Sequence, residues 1–328
     1  MLDLADDWVW DFWVVADPAA DDGTAYHLFF LKAPRTLGDP DLRHWHASVG
    51  HAVSADLSSW TRVTDALDPQ PPPAFDDLAT WTGSVVRDDD GRWWMFTTGL
   101  AQREQGRVQR IGVATSRDLT TWVRDPEPVL EADPRWYGTL DPDRADAPAG
   151  AGREEHWRDP WVERDADGTW HLYATAQGMG VERGVVAHAV SDDLHAWDVL
   201  PPLSTPSARF RWLEVISLVE LDGRWALLFS CLSDQMPYDE PGSGGVWSVP
   251  VAGPGAPVDV DRAVRLTSED LYVGKVARRR DGSHCFLAFE NRDEAGRFRG
   301  GVIDPVGIGW NALGTGLELR GGPARWRG

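Results

Sequence analysis

Residues 90–96 read Asp90-Gly-Arg-Trp-Trp-Met-Phe96, a tight-turn pair followed at once by an aromatic, strand-forming run. An Asp-Gly pair between β-branched and aromatic segments is the strongest short-range signal for a β-hairpin. The pattern occurs five times, with its turn glycine at Gly23, Gly91, Gly168, Gly223 and Gly282. Five such hairpins at similar intervals indicate five repeated structural units.

Three of the units share a second pattern, Ser-x-Asp-Leu-x-x-Trp, which begins at Ser54, Ser116 and Ser191. Each copy follows a run of small and β-branched residues, so it closes a predicted third strand. Weaker third strands are predicted at residues 245–249 and 300–303. Each unit is therefore expected to contain three strands and a short outer strand. Four antiparallel strands repeated radially form a β-propeller blade, so we expect an all-β, five-bladed β-propeller with four-stranded antiparallel blades, a single domain over residues 1–328.

The composition excludes some classes of partner. The chain has 328 residues and a formal net charge of −20, and so strong a negative field argues against nucleic acid and anionic membranes as partners. No long apolar run and no basic, apolar leader is present, so neither a transmembrane segment nor a signal peptide is expected. Cys231 and Cys285 lie in strand-like runs and are expected to be buried free thiols, which favours the cytoplasm. The sequence leaves the oligomeric state open.

The candidate chemistry lies on the first strand of each unit, which precedes the Asp-Gly turn and lines the central channel of a propeller. Asp11, Asp159 and Glu214 stand at similar positions upstream of three of the turn glycines. Three acids that converge on one channel repel each other unless their protonation states differ. Cleavage of a glycosidic bond requires that difference, because one carboxyl donates a proton while another stays ionised.

The motifs that carry these acids resemble a known clan. Trp10-Asp11-Phe-Trp13, Gly50-His-Ala-Val-Ser54, Thr82-Gly-Ser84, Arg158-Asp-Pro160 and Glu214 are similar, in order and spacing, to motifs of glycoside hydrolase families 32 and 68. That clan contains invertases, levanases and levansucrases. The resemblance covers roughly residues 8–230, and the clan's five-bladed propeller agrees with the repeat count.

The resemblance implies roles for individual residues. Asp11 is expected to be the nucleophile, Asp159 the stabiliser of the transition state, and Glu214 the general acid/base, with Glu220 as the rival for that last role. The expected substrate-binding residues are Trp10, Trp13, His51, Trp81, Ser84, Arg158, Trp212 and Lys275. His44, His46 and His51 cluster near one loop, but no metal and no other cofactor is expected.

The function implied is that of a retaining glycoside hydrolase or fructosyltransferase. It would act on β-fructofuranosides, sucrose or short fructo-oligosaccharides, through a covalent fructosyl-enzyme, and its partner would be a small carbohydrate. Two alternatives remain open at this point. One is an inverting arabinofuranosidase or xylosidase resembling family 43, and the other is a non-catalytic propeller that binds sugars or a protein.

Overall fold

Twenty β-strands make up five sheets in the computed structural model, which describes residues 1–18, 20, 25–140, 154–236 and 242–328. Each sheet has four antiparallel strands in sequence order, and the five sheets form a five-bladed β-propeller, as predicted. Blade 1 consists of β1 Asp7–Ala16, β2 Tyr26–Pro34, β3 Ser48–Ser54 and β4 Thr61–Arg62. Blade 2 consists of β5 Ala79–Arg87, β6 Trp93–Leu100, β7 Gln109–Ser116 and β8 Val123–Arg124.

The other three blades follow the same order. Blade 3 consists of β9 Trp157–Arg164, β10 Trp170–Gln177, β11 Gly184–Ser191 and β12 Asp198–Leu200. Blade 4 consists of β13 Glu214–Leu221, β14 Arg224–Cys231, β15 Gly245–Val251 and β16 Val264–Arg265. Blade 5 consists of β17 Leu271–Arg278, β18 His284–Glu290, β19 Val306–Trp310 and β20 Leu317–Arg320. Short 3-10 helices in the described part of the chain span Arg35–Leu37, Pro40–His46, Gln102–Glu104, Ser233–Gln235, Val260–Arg262 and Ala324–Trp326.

The predicted Asp-Gly turns join the first and second strands of blades 2 to 5; the first copy, Asp22-Gly23, lies outside the described residues. Asp222 and Gly223 both have positive φ, 55° and 72°, which a two-residue type I′ hairpin turn requires. The hairpin signal in the sequence therefore reports a backbone conformation that Gly and Asp adopt at low cost.

The second repeat forms a polar turn at the outside of blades 1 to 3. In the first copy, the Ser54 hydroxyl accepts hydrogen bonds from the backbone N–H groups of Asp56 and Leu57, at 3.1 and 3.0 Å. Leu57 has a φ of 66°, and its counterparts Leu119 and Leu194 have 60° and 65°. The serine thus stabilises a strained backbone that turns the chain toward the outer strand.

One predicted strand is wrong. Residues 300–303 are not the third strand of blade 5, which is β19 instead. Val302 forms isolated bridges with Leu2 and Phe289, and Leu2 and Val302 exchange two backbone hydrogen bonds of 2.9 and 2.8 Å. This segment therefore ties the start of the chain to the last blade, a role that its apolar sequence does not distinguish from that of a blade strand.

Large apolar side chains pack between neighbouring blades. Four buried clusters each combine residues from adjacent sheets, and Trp10, Phe12, Phe29, Trp157 and Phe286 are among the fully buried side chains. Cys231 and Cys285 are buried and free, as predicted. No helix among the described residues is long and apolar enough to cross a membrane.

All five innermost strands have a β-bulge. The pairing with the second strand shifts between Val9 and Phe12 in β1 and between Trp81 and Gly83 in β5, and corresponding shifts occur in β9, β13 and β17. A bulge inserts an unpaired residue, bends the strand and re-aims the side chains beside it. The five bulges therefore mark one level of the propeller, and the predicted catalytic acids lie at this level.

Candidate active site

Asp11 lies in the bulge of β1, and one of its carboxylate oxygens accepts a hydrogen bond from the Thr82 hydroxyl of β5. Burial raises the pKa of Asp11 to about 7, and the negative charge of Asp159 contributes to the increase. The Thr82 hydrogen bond acts in the opposite direction, because it stabilises the ionised carboxylate. Thr82 therefore favours the charged form of Asp11, and so does the nearby positive charge of Arg43.

Asp159 lies in the bulge of β9 with a φ of 59°, a conformation that non-glycine residues seldom adopt. Its backbone N–H donates to the Thr98 hydroxyl at 2.9 Å, and its carboxylate accepts from the Thr175 hydroxyl, also at 2.9 Å. The backbone N–H of Val215 lies 3.3 Å from the same carboxylate oxygen. Burial raises the pKa of Asp159 to about 6, against the opposing effect of the Arg158 charge. Thr175 of the same blade and Val215 of blade 4 thus hold the carboxylate in one orientation.

Arg158, Glu214 and Tyr272 are the last paired residues before the bulge in blades 3, 4 and 5, so they occupy one register. The Arg158 guanidinium donates to Oε1 of Glu214 at 2.6 Å, and the Tyr272 hydroxyl donates to Oε2. Both carboxylate oxygens of Glu214 therefore have a donor from an adjacent blade. These two donors, from the blades on either side, fix the plane of the carboxyl group.

His156 and Gln109 hold Arg158 from behind. Nη1 of Arg158 lies 2.8 Å from Nδ1 of His156 and 3.4 Å from the side-chain oxygen of Gln109. Burial and the Arg158 charge lower the pKa of His156 to about 2, so the imidazole is neutral and accepts the hydrogen bond. All three nitrogens of Arg158 therefore face a defined acceptor, since Nε lies 3.5 Å from Asp159.

These residues surround a cavity of about 390 Å³ at the centre of the propeller. Asp11, Asp159 and Glu214 all line it, and they come from three different blades. The rest of the wall includes Trp10, Arg43, His44, Trp45, Trp81, Thr82, Glu154, Arg158, Trp212, Gln235, Tyr272 and Asn291. A cavity with convergent carboxyl groups and aromatic walls suits a sugar, which has hydroxyl edges and apolar ring faces.

The 3-10 helix Pro40–His46 supplies the wall on the side of blade 1. Arg43 stacks over the Phe298 ring, with Cζ 3.9 Å from the ring centroid, and lies 5.6 Å from the Trp10 ring centroid. Burial lowers the pKa of Arg43 to about 10, so it remains charged at neutral pH beside the acids. The Trp81 indole donates to the backbone carbonyl of His44 at 2.7 Å, which fastens this helix to blade 2.

Four of the eight predicted substrate-binding residues line the cavity: Trp10, Trp81, Arg158 and Trp212. Trp13, Ser84 and Lys275 do not line it, because all three follow the bulge of their strand. Trp13 stacks on Phe29, and the Ser84 hydroxyl accepts from the backbone N–H of Val162 at 3.2 Å.

Lys275 lies beneath the acids, 3% exposed, with Nζ 4.7 Å from the ring centroid of Trp161 in blade 3. Since blade 4 separates these two blades, the ammonium group reaches across the central channel. Burial lowers its pKa to about 7, while the charges of Asp159 and Asp11 oppose the decrease. Lys275 therefore belongs to the floor of the site rather than to the wall of the cavity.

His51 is also absent from the cavity wall. It lies in β3, where Nε2 is 2.9 Å from Nδ1 of His27 and the ring stacks on Phe29 with centroids 4.5 Å apart. His44 lines the cavity but His51 does not, so the two are not brought together there. No group of three or more possible metal ligands occurs among the described residues. Glu220, the rival for the acid/base role, is exposed and does not line the cavity.

The sequence reasoning missed Thr82, Tyr272 and Arg43. Thr82 stood inside the quoted motif at residues 82–84, where only the serine was selected. Tyr272 is three residues before Lys275, and only knowledge of the bulge shows that it occupies the register of Glu214. Arg43 lies in a loop, where no periodic pattern points to it.

Comparison with known proteins identifies the family. Residues 18–243 match the family described as "Glycosyl hydrolases family 32 N-terminal domain". The chain belongs to glycosyl hydrolase family 32. It is 34% identical over 149 residues to beta-fructofuranosidase 1 of Zea mays, a match that covers 43% of this chain and 21% of that protein. The first four curated relatives are matched over 21% to 40% of their own length, so the chain spans less than half of each.

Solved structures resemble this family 32 chain over most of its length. Inulosucrase from Halalkalicoccus jeotgali, solved with bound kestose, has a TM-score of 0.74 and 19% identity, with 97% of this chain and 87% of that chain covered. Levansucrase from Gluconacetobacter diazotrophicus has a TM-score of 0.71 and 17% identity, with 100% and 84% covered. At these identities the similarity concerns the fold.

Proposed function

We propose that this family 32 chain is a retaining glycoside hydrolase or fructosyltransferase that acts on β-fructofuranosides. The observation that carries the proposal is the convergence of Asp11, Asp159 and Glu214 from three blades on one cavity. Family membership supports the substrate class, because relatives in this family include proteins named beta-fructofuranosidase and 6(G)-fructosyltransferase.

In the first step, a carboxylate oxygen of Asp11 forms a bond to the anomeric carbon of the fructosyl unit. The bond between that carbon and the leaving oxygen breaks, and Glu214 gives its proton to this oxygen. In the second step, Glu214 accepts the proton of a water molecule or an acceptor hydroxyl, whose oxygen attacks the same carbon. The ester bond to Asp11 then breaks, and both carboxyl groups return to their starting states.

Asp159 acts on the sugar ring rather than on the bond that breaks. Its orientation is fixed by Thr175 and by the backbone N–H of Val215, so its remaining acceptor capacity faces the cavity. Hydrogen bonds from ring hydroxyls to this carboxylate strengthen as positive charge develops on the ring. We therefore assign Asp159 to stabilisation of the transition state.

The electrostatics of the cavity favour retention of a proton near neutral pH. Burial raises the pKa values of Asp11 and Asp159 to about 7 and about 6, and the charge of Glu214 adds to both increases. The first step requires a proton on Glu214 while Asp11 is ionised. The donors to Glu214 hold its oxygens in place for that transfer, and the Thr82 donor favours the charge on Asp11.

The anomeric configuration of the first product tests the proposal. Incubation with sucrose and short fructo-oligosaccharides, followed by NMR of the fresh product, is expected to show fructose or a transfer product with the β configuration of the substrate. An inverted product would contradict the double-displacement mechanism. Asp11→Ala is expected to remove product release while the far-UV circular dichroism spectrum stays unchanged.

A sugar-binding propeller without catalysis is the remaining alternative. It predicts saturable binding of these sugars with no product from the native chain, which the same incubation distinguishes. The family 43 alternative does not hold, since the chain belongs to family 32.

That the site needs no metal stays a prediction. Activity measured after exhaustive treatment with a chelator tests it, and full activity is the expected result. A cytoplasmic location also stays a prediction.

A further inference from the structure

A layer of side chains lies beneath the acids, on the other side of the bulges. Trp161, Ser217 and Lys275 are the first paired residues after the bulge in blades 3, 4 and 5, so they occupy one register. Ser217 lies between the other two, since β13 packs against both β9 and β17. Because serine is small, the Lys275 side chain can cross blade 4, and its Nζ lies 4.7 Å from the ring centroid of Trp161.

The ammonium group of Lys275 is held there at a cost in hydration. Lys275 is 3% exposed, and a buried ammonium group loses most of its contact with water. The face of the Trp161 ring compensates for only part of this loss, and within the described part of the chain Nζ forms no ion pair. Methionine would fill much of the same space without this cost. The positive charge, rather than the packing, therefore needs an explanation.

Two carboxyl groups from other blades act on this charge. Burial lowers the pKa of Lys275 to about 7, while the charges of Asp159 in β9 and Asp11 in β1 oppose the decrease. The other neighbours of Lys275 do not titrate, since its partner in β18 is Leu287 and the residue of the same register in β13 is Ser217. Lys275 is therefore coupled to the nucleophile and to the stabilising carboxylate together.

The coupling acts in both directions. Attraction between two charges is mutual, so the ammonium group favours the ionised form of both carboxyl groups. Arg43 and Arg158 also favour these ionised forms, but a guanidinium group keeps its proton at neutral pH, whereas the ammonium group of Lys275 exchanges its proton there.

We propose that Lys275 is a positioning residue for the reaction, which holds the proton that would otherwise neutralise Asp11 and so keeps this carboxylate available to attack the anomeric carbon. This inference rests on the proposed function, in which Asp11 is the nucleophile. It explains why a lysine stands at a register position where an uncharged side chain would fit at lower cost.

The proton on Lys275 can be measured directly, because Lys275 and Lys32 are the only lysines of the chain. With ¹³C at the lysine Cε, NMR gives one titration curve for each side chain, and Lys275→Met assigns the two signals. Lys275 is expected to titrate with a midpoint of about pH 7. A midpoint above pH 9 would overturn the proposal, because the ammonium group would then keep its proton throughout the neutral range.

The same NMR measurement tests the coupling to Asp11. Asp11→Asn is expected to lower the midpoint of Lys275 by about one pH unit, because it removes a negative charge that favours the ammonium form. Glu220→Gln is the matched control, since Glu220 is exposed and does not line the cavity, and it is expected to leave the midpoint in place. A midpoint that Asp11→Asn does not move would overturn the proposal.

The pH profile of kcat/KM on sucrose tests the consequence for catalysis. In Lys275→Met, the acidic limb is expected to move upward by about one pH unit, because Asp11 then takes up the proton. Native and variant values are expected to differ about tenfold at pH 6 and to converge toward pH 9, where Lys275 is neutral in the native chain as well. A purely structural effect would lower kcat/KM by one factor at every pH, and that result would overturn the proposal.

Lys32→Met supplies the control for the pH profile. Lys32 lies in the second strand of blade 1 and pairs with Asp65 at 3.0 Å, so its replacement is expected to leave the acidic limb in place. The NMR measurement needs no turnover, which separates the two possible failures. If the native chain turns over no fructoside, the proposed function is wrong. If fructosides are turned over and neither the midpoint nor the acidic limb moves, the inference about Lys275 is wrong.

Discussion

Arg158 links two of the three acids, since its Nη2 lies 2.6 Å from Oε1 of Glu214 and its Nε lies 3.5 Å from Oδ2 of Asp159. Arg158 is 5% exposed, and His156 accepts from its remaining nitrogen. The planar guanidinium spreads its donors over three nitrogens in fixed directions, whereas a lysine ammonium carries all its donors on one compact nitrogen and cannot reach the same three acceptor positions. Arg158 therefore sets the relative positions of the general acid and the stabilising carboxylate.

Arg158→Lys is expected to lower kcat/KM about a hundredfold, because lysine loses the contact with Glu214 or with Asp159. Steady-state rates on sucrose measure the effect, and thermal unfolding reports whether the fold is intact. The matched control is Arg164→Lys. Arg164 lies in the same strand as Arg158 and forms an ion pair with Asp89 of blade 2 at the surface, so its replacement is expected to leave kcat/KM unchanged. A folded Arg158→Lys variant with native kcat/KM would remove this role.

Thr82→Val is expected to move the acidic limb of the pH profile of kcat/KM upward by about one pH unit. The Thr82 hydroxyl stabilises ionised Asp11, so its loss raises the pKa of Asp11 above the value of about 7. The acidic limb reports protonation of the nucleophile in the free enzyme, so activity then begins at higher pH.

Thr80→Val supplies the control for this shift. Thr80 is fully buried on the same strand, and its hydroxyl has no hydrogen-bond partner among the described residues. Its replacement is expected to leave the acidic limb in place. An identical shift in both variants would show that the hydrogen bond to Asp11 is not the cause.

Tyr272→Phe is expected to lower kcat about tenfold with little change in KM. The reason is that the Tyr272 hydroxyl orients the carboxyl group of Glu214 for proton transfer and does not contribute to substrate binding. Tyr26→Phe is the matched control, since the Tyr26 hydroxyl donates to the backbone carbonyl of Arg278 away from the cavity. A selective rise in KM would instead indicate that Tyr272 contacts the substrate.

The His27–His51 pair predicts a pH-dependent contribution to stability. Burial lowers the pKa of both histidines, that of His51 to about 3, while the nearby charge of Asp65 opposes the decrease at His51. An unfolded histidine titrates near 6.5, so the unfolded chain takes up a proton that the folded chain excludes. This contribution is complete above pH 6.5 and is lost as the pH falls toward 3.

His51→Gln makes this contribution measurable. Glutamine does not titrate, so the free energy of unfolding of the native chain is expected to fall relative to that of the variant. The difference between the two is expected to narrow by about 1 kcal/mol from pH 7.5 to pH 5.5. Urea unfolding at both pH values measures this gap in the free energy of unfolding. A gap that is independent of pH would show that His51 does not exclude the proton.

The sequence was sufficient to predict the blades because their signals are local. Asp222-Gly223 predicts a hairpin by its own backbone preferences, and Ser54 predicts a turn through hydrogen bonds to residues two and three positions later. The acids were also predictable, because Asp11 lies in an aromatic strand where an unpaired charge is unexpected.

The remainder of the site depends on contacts between distant segments. Thr82 and Asp11 are 71 residues apart, and their hydrogen bond exists only because blades 1 and 2 are neighbours. The bulges were equally hidden, since one extra residue changes which side chain faces the cavity. That shift explains why Lys275 was selected instead of Tyr272, three residues earlier.

Isolation of the covalent intermediate tests the central claim most directly. A fructosyl fluoride needs no protonation of its leaving group, so the first step proceeds in Glu214→Gln. The second step is slowed, because glutamine cannot accept the proton of the attacking water. Peptide mapping by mass spectrometry is expected to find one fructosyl unit on the peptide that contains Asp11, and Asp11→Asn in the same background is expected to remove it. A fructosyl unit on any other residue, or turnover that persists without Asp11, would contradict the account.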